Sequence, residues 1–185
     1  PRLLAQSSPA RRSLVITMSS MVGLVSSPYQ GIYAASKHAL EGAFSALRME
    51  VRSQNIDVVL IEPGWIGTHF LKTAMAHAPT KWLENKDYGA SLKNYFAMTN
   101  DAETENPSGA AKIAATLAGT PQEVAAAVMR ALESKTPKAR YPVTAMATWI
   151  SFTSINRCSA TTSTGPTVSL RTWGPAPRSA FSGKT

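Results

Sequence analysis

The chain is poor in cysteine, in acidic residues and in long apolar runs. Its 185 residues include one cysteine, Cys158, which excludes an intramolecular disulfide and a multi-cysteine metal site. A reducing cytoplasm is therefore the expected location. No run approaches the roughly 18 apolar residues that a membrane-spanning helix needs. The start, PRLLAQSSPARRS, has neither an initiator methionine nor the apolar centre of a signal peptide, which predicts a processed or partial chain.

The shortage of acidic residues gives a net charge of +8, from 19 basic and 11 acidic side chains. Residues 153–185 hold four Lys and Arg residues and no acidic residue, so this tail supplies half of the excess. Its Ser, Thr, Pro and Gly content without periodicity predicts a disordered segment. Because no basic stripe with interleaved aromatics is present, we expect no nucleic-acid partner.

Sequence motifs for hydrolytic and metal chemistry are also missing. Gly-x-Ser-x-Gly, which a serine hydrolase of the α/β type would need, does not occur. The spacings of His38, His69 and His77 match no metal-ligand motif, and no cysteine or carboxylate cluster accompanies them. We therefore expect surface or packing histidines and no metal.

Two apolar segments with a helical pattern between them dominate the first third of the chain. Residues 13–19, SLVITMS, and the segment IDVVLIEPG predict buried strands, the second ended by Pro63-Gly64. Between them, residues 32–54 predict a helix from apolar positions spaced four, three and four apart: Leu40, Phe44, Leu47 and Val51. A strand, a long helix and another all-apolar strand predict a parallel α/β sheet.

The second half is expected to complete this unit. Residues 65–119 are too long for a plain connection, which predicts a functional lid or an inserted helical segment. Their aromatic residues either line a pocket for an apolar substrate or pack the lid itself. Thr120, Pro121 and Glu123 predict a capped helix start, and residues 139–145 predict one more strand.

A tyrosine and a lysine stand one helical turn apart in QGIYAASKHALEG. On a helix, Tyr33 and Lys37 share one face, and a cation held close to a phenol favours the phenolate. Ser20 ends the first strand and would lie at the same sheet edge, where its hydroxyl could donate to a developing oxyanion. Open α/β sheets place their ligands at this edge. The combination predicts acid–base chemistry rather than a solvated helix face.

The segments ITMSSMVG, YAASKHALEG and VVLIEPGWIGT, in that order, resemble the second half of a short-chain dehydrogenase/reductase. The resemblance implies that Ser20 polarises the substrate oxygen and that Tyr33 exchanges its proton. Lys37 then tunes the tyrosine and binds the nicotinamide ribose. Ser20 is preferred over Ser19 because the family uses the second serine of its pair.

The resemblance also implies a cofactor, a substrate class and a partner. The family's Pro-Gly loop, which meets the nicotinamide of NAD or NADP, corresponds to Pro63, Gly64, Ile66 and Thr68. The implied substrate is a small alcohol or ketone, with an apolar one favoured by the aromatic residues. A homo-oligomer through the Tyr33 helix is a further implication, since Ala39, Gly42, Ala43 and Ala46 form a small-residue face. That face could equally pack on the sheet.

The family's glycine-rich turn, its Asn-Asn-Ala-Gly motif and its tetrad asparagine have no counterpart in these 185 residues. Residues 1–152 are therefore predicted to form the C-terminal part of a doubly wound, Rossmann-like domain, holding strands five to seven with strand five as an open edge. Residues 153–185 are predicted to follow as a basic disordered tail, with a reading-frame change near residues 152–157 as one hypothesis. Two functions remain: an NAD(P)-dependent alcohol/carbonyl oxidoreductase, or an inactive fragment that acts at most as a binding or dimerisation module.

Overall fold

A three-stranded parallel sheet lies at the centre of the computed structural model. Its strand order is β1-β2-β3, with Leu60 and Thr17 paired across the first two strands. The strands are Ser13–Met18, Ile56–Glu62 and Arg140–Pro142. The described residues are 12–101, 104 and 106–160. The predicted parallel α/β sheet is confirmed, and β1 is one edge of its described part.

Seven helices and two short 3-10 turns surround this sheet in the described part of the chain. The 3-10 turns are Met21–Gly23 and Arg52–Gln54. The helices are α1 (Gly31–Val51), α2 (Phe70–Ala76), α3 (Thr80–Leu83), α4 (Gly89–Asp101), α5 (Gly109–Thr116), α6 (Pro121–Glu133) and α7 (Ala145–Ala160). Helices α2 to α5 fill the connection that was predicted to be a lid or an inserted helical segment, and the insertion is helical.

The hydrophobic core lies between β2 and α6. Val59, Ile61, Ala127 and Ala131 are fully buried there. The two alanines let the helix approach the sheet closely, and burying each larger aliphatic side chain stabilises the fold by about 1.5–3 kcal/mol. Partly buried neighbours complete the core: Leu14, Ile16, Val124, Val128, Tyr141 and Val143.

Helix α1 begins one residue earlier and ends three residues earlier than predicted. After Val51 the chain tightens into the 3-10 turn, and Asn55 then adopts a left-handed conformation with φ of 57°. Asparagine tolerates this region better than most residues, so it reverses the chain into β2.

The predicted start of helix α6 is confirmed. Thr120 Oγ1 accepts from the backbone nitrogen of Glu123 at 3.3 Å, and Glu123 Oε2 accepts from the backbone nitrogen of Thr120 at 2.6 Å. Pro121 occupies the first turn, where its missing N–H is not needed.

Two boundaries differ from the prediction. Strand β3 covers residues 140–142 rather than 139–145, because Thr144 Oγ1 accepts from the backbone nitrogen of Ala147 and starts α7. Residues 153–160 continue this helix, so the prediction of disorder from residue 153 is wrong for them. Thr153 fits the helix because its hydroxyl donates to the carbonyl of Trp149 at 3.0 Å. The remainder of the predicted tail, residues 161–185, lies outside the described residues.

Candidate active site

The carboxyl ends of β1 and β2 bring the two predicted active-site segments together. The backbone nitrogen of Ser19 donates to the carbonyl of Ile61 at 2.8 Å, and that of Met21 donates to the carbonyl of Pro63 at 2.9 Å. Ser20 Oγ donates to the same Pro63 carbonyl at 3.3 Å. The parallel pairing of the strands therefore continues past their ends and fixes Ser20 beside the Pro63-Gly64 loop.

The structure separates the two adjacent serines. Ser20 has extended backbone and caps the 3-10 turn, where its Oγ accepts from the backbone nitrogen of Val22 at 3.4 Å. Ser20 lines a cavity, whereas the buried Ser19 does not. Of the pair, Ser20 is the serine that a ligand in this cavity can reach.

Tyr33 and Lys37 lie together on α1, as their spacing predicts. Tyr33 lines the same cavity as Ser20. Lys37 Nζ lies 5.6 Å from the centroid of the Tyr33 ring and donates to the carbonyl of Met18 at 2.9 Å. Partial burial lowers the pKa of Lys37. The lysine is thus held between the end of β1 and the tyrosine.

The cavity has a volume of about 100 Å³ and is lined by both polar and apolar residues. Ser20, Tyr33 and Thr68 are the hydroxyl-bearing lining residues, and the ring of Phe70 lies 5.5 Å from that of Tyr33, centroid to centroid. The remaining lining residues are Met21, Val22, Gln30, Gly64, Trp65 and Ile66. The lining therefore offers polar side chains to a small carbonyl or hydroxyl group among apolar ones.

Three of the four predicted loop residues reach this cavity. Gly64, Ile66 and Thr68 line it, whereas Pro63 contributes its carbonyl to Ser20 from outside. Thr68 is exposed, and its Oγ1 accepts from the backbone nitrogen of Phe70 at 3.3 Å. Gly64 has no space for a side chain, because an added Cβ would lie 2.0 Å from Thr144 Oγ1.

Gly119 holds this loop in place, and the sequence did not reveal that role. Its nitrogen donates to the carbonyl of Trp65 at 2.8 Å, and its carbonyl accepts from the nitrogen of Gly67 at 3.1 Å. Ile66 and Gly119 form an isolated parallel bridge. The available sequence signal was a glycine directly before the Thr120 cap. This signal does not show that the glycine pairs with Trp65 and Gly67.

A contact between Gln30 and Tyr95 was also missed. Gln30 Nε2 donates to Tyr95 Oη at 2.7 Å, and the Tyr95 ring lies 5.4 Å from that of Tyr29. Burial raises the pKa of Tyr95, against smaller opposing effects of hydrogen bonds from Gln30 and Ser27. Helix α4 is thereby fastened to the start of α1. The aromatic residues of the insertion are divided, since Trp65 and Phe70 line the cavity and Tyr95 packs beside it.

The histidines lie on the surface and bond locally. His38 Nδ1 is 2.9 Å from the carbonyl of Ala34, and His77 Nδ1 is 2.8 Å from that of Thr73. Within the described ranges, no group of three His, Cys, Asp or Glu residues could hold a metal ion. Nor does that part of the chain contain a helix long and apolar enough to cross a bilayer.

Comparison with known proteins finds chains of similar sequence. The family described as short chain dehydrogenase matches residues 3–79. An uncharacterized oxidoreductase of Escherichia coli, YbbO, is 38% identical over 148 residues, which is 80% of this chain and 45% of the relative. An NADPH-dependent 3-dehydrocapnine reductase of Ornithobacterium rhinotracheale is 38% identical over 143 residues, covering 76% of this chain and 45% of the relative.

A solved structure shows the same fold. A short-chain dehydrogenase from Streptomyces avermitilis superposes with a TM-score of 0.56 at 19% identity, covering 87% of this chain and 51% of that protein. The chain spans less than half the length of the two curated relatives. Sequence, fold and the arrangement of its strand ends together place this chain in the short-chain dehydrogenase/reductase family.

Proposed function

We propose that this chain carries the substrate-binding and proton-transfer part of an oxidoreductase that interconverts an alcohol and a carbonyl with NAD or NADP. One observation carries the proposal: Ser20 and Tyr33 face a single small cavity beside the Gly64–Thr68 loop, with Lys37 next to the tyrosine ring. Two hydroxyl groups and a cation at one sheet edge suit a reaction in which charge develops on a substrate oxygen.

The roles follow from the hydrogen bonds that these side chains make. The hydroxyl of Ser20 makes only long contacts, 3.3 Å to a carbonyl and 3.4 Å from an amide, so its proton can turn to a substrate oxygen. Tyr33 would give the proton to that oxygen or take it away. The Lys37 ammonium lies 5.6 Å from the centroid of the Tyr33 ring, next to the site of this exchange.

The residues present fit a nicotinamide cofactor on its ribose side. Lys37 has three N–H donors and uses one on the Met18 carbonyl, which leaves donors for ribose hydroxyl groups. The exposed Thr68 hydroxyl and the close-packed backbone at Gly64 are available to a carboxamide. When bound, the nicotinamide supplies or accepts the hydride. The glycine-rich turn that would hold the pyrophosphate is not among these 185 residues.

An apolar substrate with a small reacting group suits the walls of the site. A volume of about 100 Å³ takes the carbonyl and its immediate neighbours only. A wider depression of about 590 Å³ shares Trp65 and Thr68 with it and offers space for more of the ligand. The reductase relative, which acts on 3-dehydrocapnine, supports a keto substrate.

The decisive experiment separates cofactor binding from chemistry. Thermal unfolding of this chain would be followed with NADH, NAD⁺, NADPH and NADP⁺, and ketone reduction would be followed by nicotinamide absorbance. We expect a rise in midpoint with at least one cofactor form. The proposal predicts that Tyr33→Phe lowers the reduction rate by about 100- to 10,000-fold, because it removes only the exchangeable proton.

Tyr88→Phe is the matched control, since Tyr88 is exposed and outside the cavity. Equal rates for the two variants would contradict the assignment of Tyr33. No midpoint shift with any cofactor form would restrict the activity to a longer protein that contains the glycine-rich turn.

The alternative function is a dimerisation module without catalysis, and the exposed face of α1 favours it. Ala39, Gly42 and Ala43 are exposed, so they do not pack on the described sheet. Ile32 and Met49 on the same helix are 90% and 76% exposed. Sedimentation of the chain with and without Ala43→Arg tests this surface: a dimer that the charge dissociates supports it, and a monomer in both cases contradicts it.

A further inference from the structure

A second polar cluster lies one helical turn beyond Lys37 on α1. It consists of Glu41 on this helix, Glu62 at the end of β2 and Arg140 at the start of β3. Glu41 is 6% exposed and Glu62 is fully buried. A single guanidinium therefore faces two buried carboxyl groups, and a buried carboxylate without a partner is strongly disfavoured.

The arginine bonds the two carboxyl groups unequally. Arg140 Nε and Nη2 donate to Glu41 Oε2 at 3.2 and 3.1 Å, and Nη2 also donates to Ser45 Oγ at 2.8 Å. Glu62 Oε1 lies 2.9 Å from Nε, but the two groups are not aligned as a hydrogen bond. Glu41 is thus the charged partner of Arg140, and Glu62 is the carboxyl group left over.

Three side-chain oxygens of the two glutamates receive no hydrogen bond within the described residues. Glu41 Oε1 and both side-chain oxygens of Glu62 are buried without a hydrogen-bond partner in the described structure. A carboxylate can only accept hydrogen bonds, whereas a protonated carboxyl group also donates one. A proton on Glu62 removes the surplus charge and provides the missing donor in a single step.

We propose that Glu62 carries a proton in the folded chain near neutral pH and thereby acts as a positioning residue for the active-site edge. Burial, reinforced by the charge of Glu41, raises the pKa of Glu62 to about 7. The nearby Ser151 of α7 and Arg140 act in the opposite direction, although neither is aligned for a hydrogen bond with Glu62. Strand β1, which pairs with β2, brings no titratable side chain to the cluster.

Glu62 reaches the active site through its backbone. Its carbonyl accepts from the nitrogen of Val143 at 3.2 Å, and the next residue is Pro63, whose carbonyl holds Ser20 and Met21. The neutral side chain lets Glu41, and with it the Tyr33 helix, pack against the end of β2. Its influence on catalysis depends on the proposed function, whereas the protonation itself is a property of the folded chain.

The sign of the pH effect follows from linkage. The folded chain holds the Glu62 proton up to about pH 7, whereas the unfolded chain releases it near the ordinary glutamate value of about 4.3. This contribution to stability is therefore present at low pH and lost as the pH rises through the folded pKa. We expect the folding equilibrium constant to fall by roughly 10- to 100-fold between pH 5 and pH 8 from this group alone.

The test compares equilibrium unfolding of the full chain at pH 5 to 8 with that of Glu62→Gln, which imitates the neutral acid. Glu50→Gln is the matched control, because Glu50 is an exposed glutamate of the same helix α1. The expected result is that Glu62→Gln loses the fall in stability while Glu50→Gln keeps it. An unchanged pH profile in Glu62→Gln would overturn the proposal.

Infrared spectroscopy of the ¹³C-glutamate-labelled wild-type chain gives an independent readout that needs no variant. The proposal requires a carbonyl-stretch band of a protonated carboxylic acid at pH 6 that disappears above pH 8. Absence of this band in the folded chain at pH 6 would overturn the proposal as well. Neither measurement involves a nicotinamide, so a failure of cofactor binding would leave both results interpretable.

Discussion

Two polar clusters share helix α1, and they are held in opposite ways. Ser20 and Lys37 bond to backbone atoms: Ser20 to the carbonyl of Pro63 and the amide of Val22, and Lys37 to the carbonyl of Met18. Glu41 and Glu62 instead depend on one side chain, Arg140. Removing a group from the first cluster leaves neutral backbone behind, whereas removing Arg140 from the second leaves the buried carboxylate of Glu41 without its charged partner.

The two clusters therefore differ in whether a ligand can reach them. The first cluster opens into a cavity, so a ligand can replace its backbone partners without isolating a charge. In the second, both carboxyl groups are buried, and Arg140 is the cation that pairs with them. Helix α1 therefore carries Lys37, whose backbone contact a ligand can replace, and one turn later Glu41, which needs its ion pair with Arg140.

The largest effect on stability is expected when the second cluster loses its cation, Arg140. Arg140→Ala leaves Glu41 buried without its charged partner and should lower the free energy of unfolding by about 3–5 kcal/mol. Denaturant unfolding at pH 7 measures this loss. Arg130→Ala is the matched control, because Arg130 is exposed on α6 and its loss should stay within about 0.5 kcal/mol.

A loss below about 1 kcal/mol for Arg140→Ala would contradict the contrast between the clusters. It would mean that the carboxyl groups tolerate the absence of the cation.

The packing beside the first cluster should respond less. Gly64→Ala places a Cβ 2.0 Å from Thr144 Oγ1 and is expected to destabilise the chain by about 1–3 kcal/mol, because backbone or α7 must move. The thermal midpoint and the cofactor-induced shift would both be measured. Gly42→Ala, in open space on α1, should instead stabilise by about 0.5–1 kcal/mol. Equal changes in stability for the two variants would show that the structure accommodates a side chain at Gly64 despite the close approach of Thr144.

The smallest effect is expected at the contact between the insertion and α1. Tyr95→Phe removes the acceptor for Gln30 but keeps the ring, which should lower stability by about 0.5–1.5 kcal/mol. Unfolding of Tyr88→Phe, whose ring is 42% exposed, provides the comparison. Indistinguishable midpoints for the two variants would show that the Gln30 hydrogen bond adds no net stability.

The sequence predicted the elements that depend on near neighbours. A few consecutive residues are enough to identify three of these features, because hydrophobic period and capping are local. They are the apolar runs of β1 and β2, the helical spacing of α1 and the Thr120–Glu123 capping box. The meeting of Tyr33 with Lys37 follows from the same logic, since four residues make one turn.

The contacts that escaped prediction join distant residues. Arg140 and Glu41 are 99 positions apart, and Gln30 and Tyr95 are 65 apart. No local pattern links such pairs, because their proximity arises only after the sheet and the insertion have packed. The polar composition after residue 153 misled for a different reason: Thr153 bonds locally, to the carbonyl of Trp149 one helical turn earlier, and composition does not distinguish this bond from hydration.

The bridge between Ile66 and Gly119 gives the insertion a closed base. Its two ends are hydrogen-bonded to each other, so the helical insertion begins and ends at the same point of the sheet edge. For a segment with joined ends, the entropy of closure grows only slowly with length, by about 0.6 kcal/mol per doubling. We therefore expect changes in the length of the insertion between these joined ends to leave Ser20 and Lys37 in place.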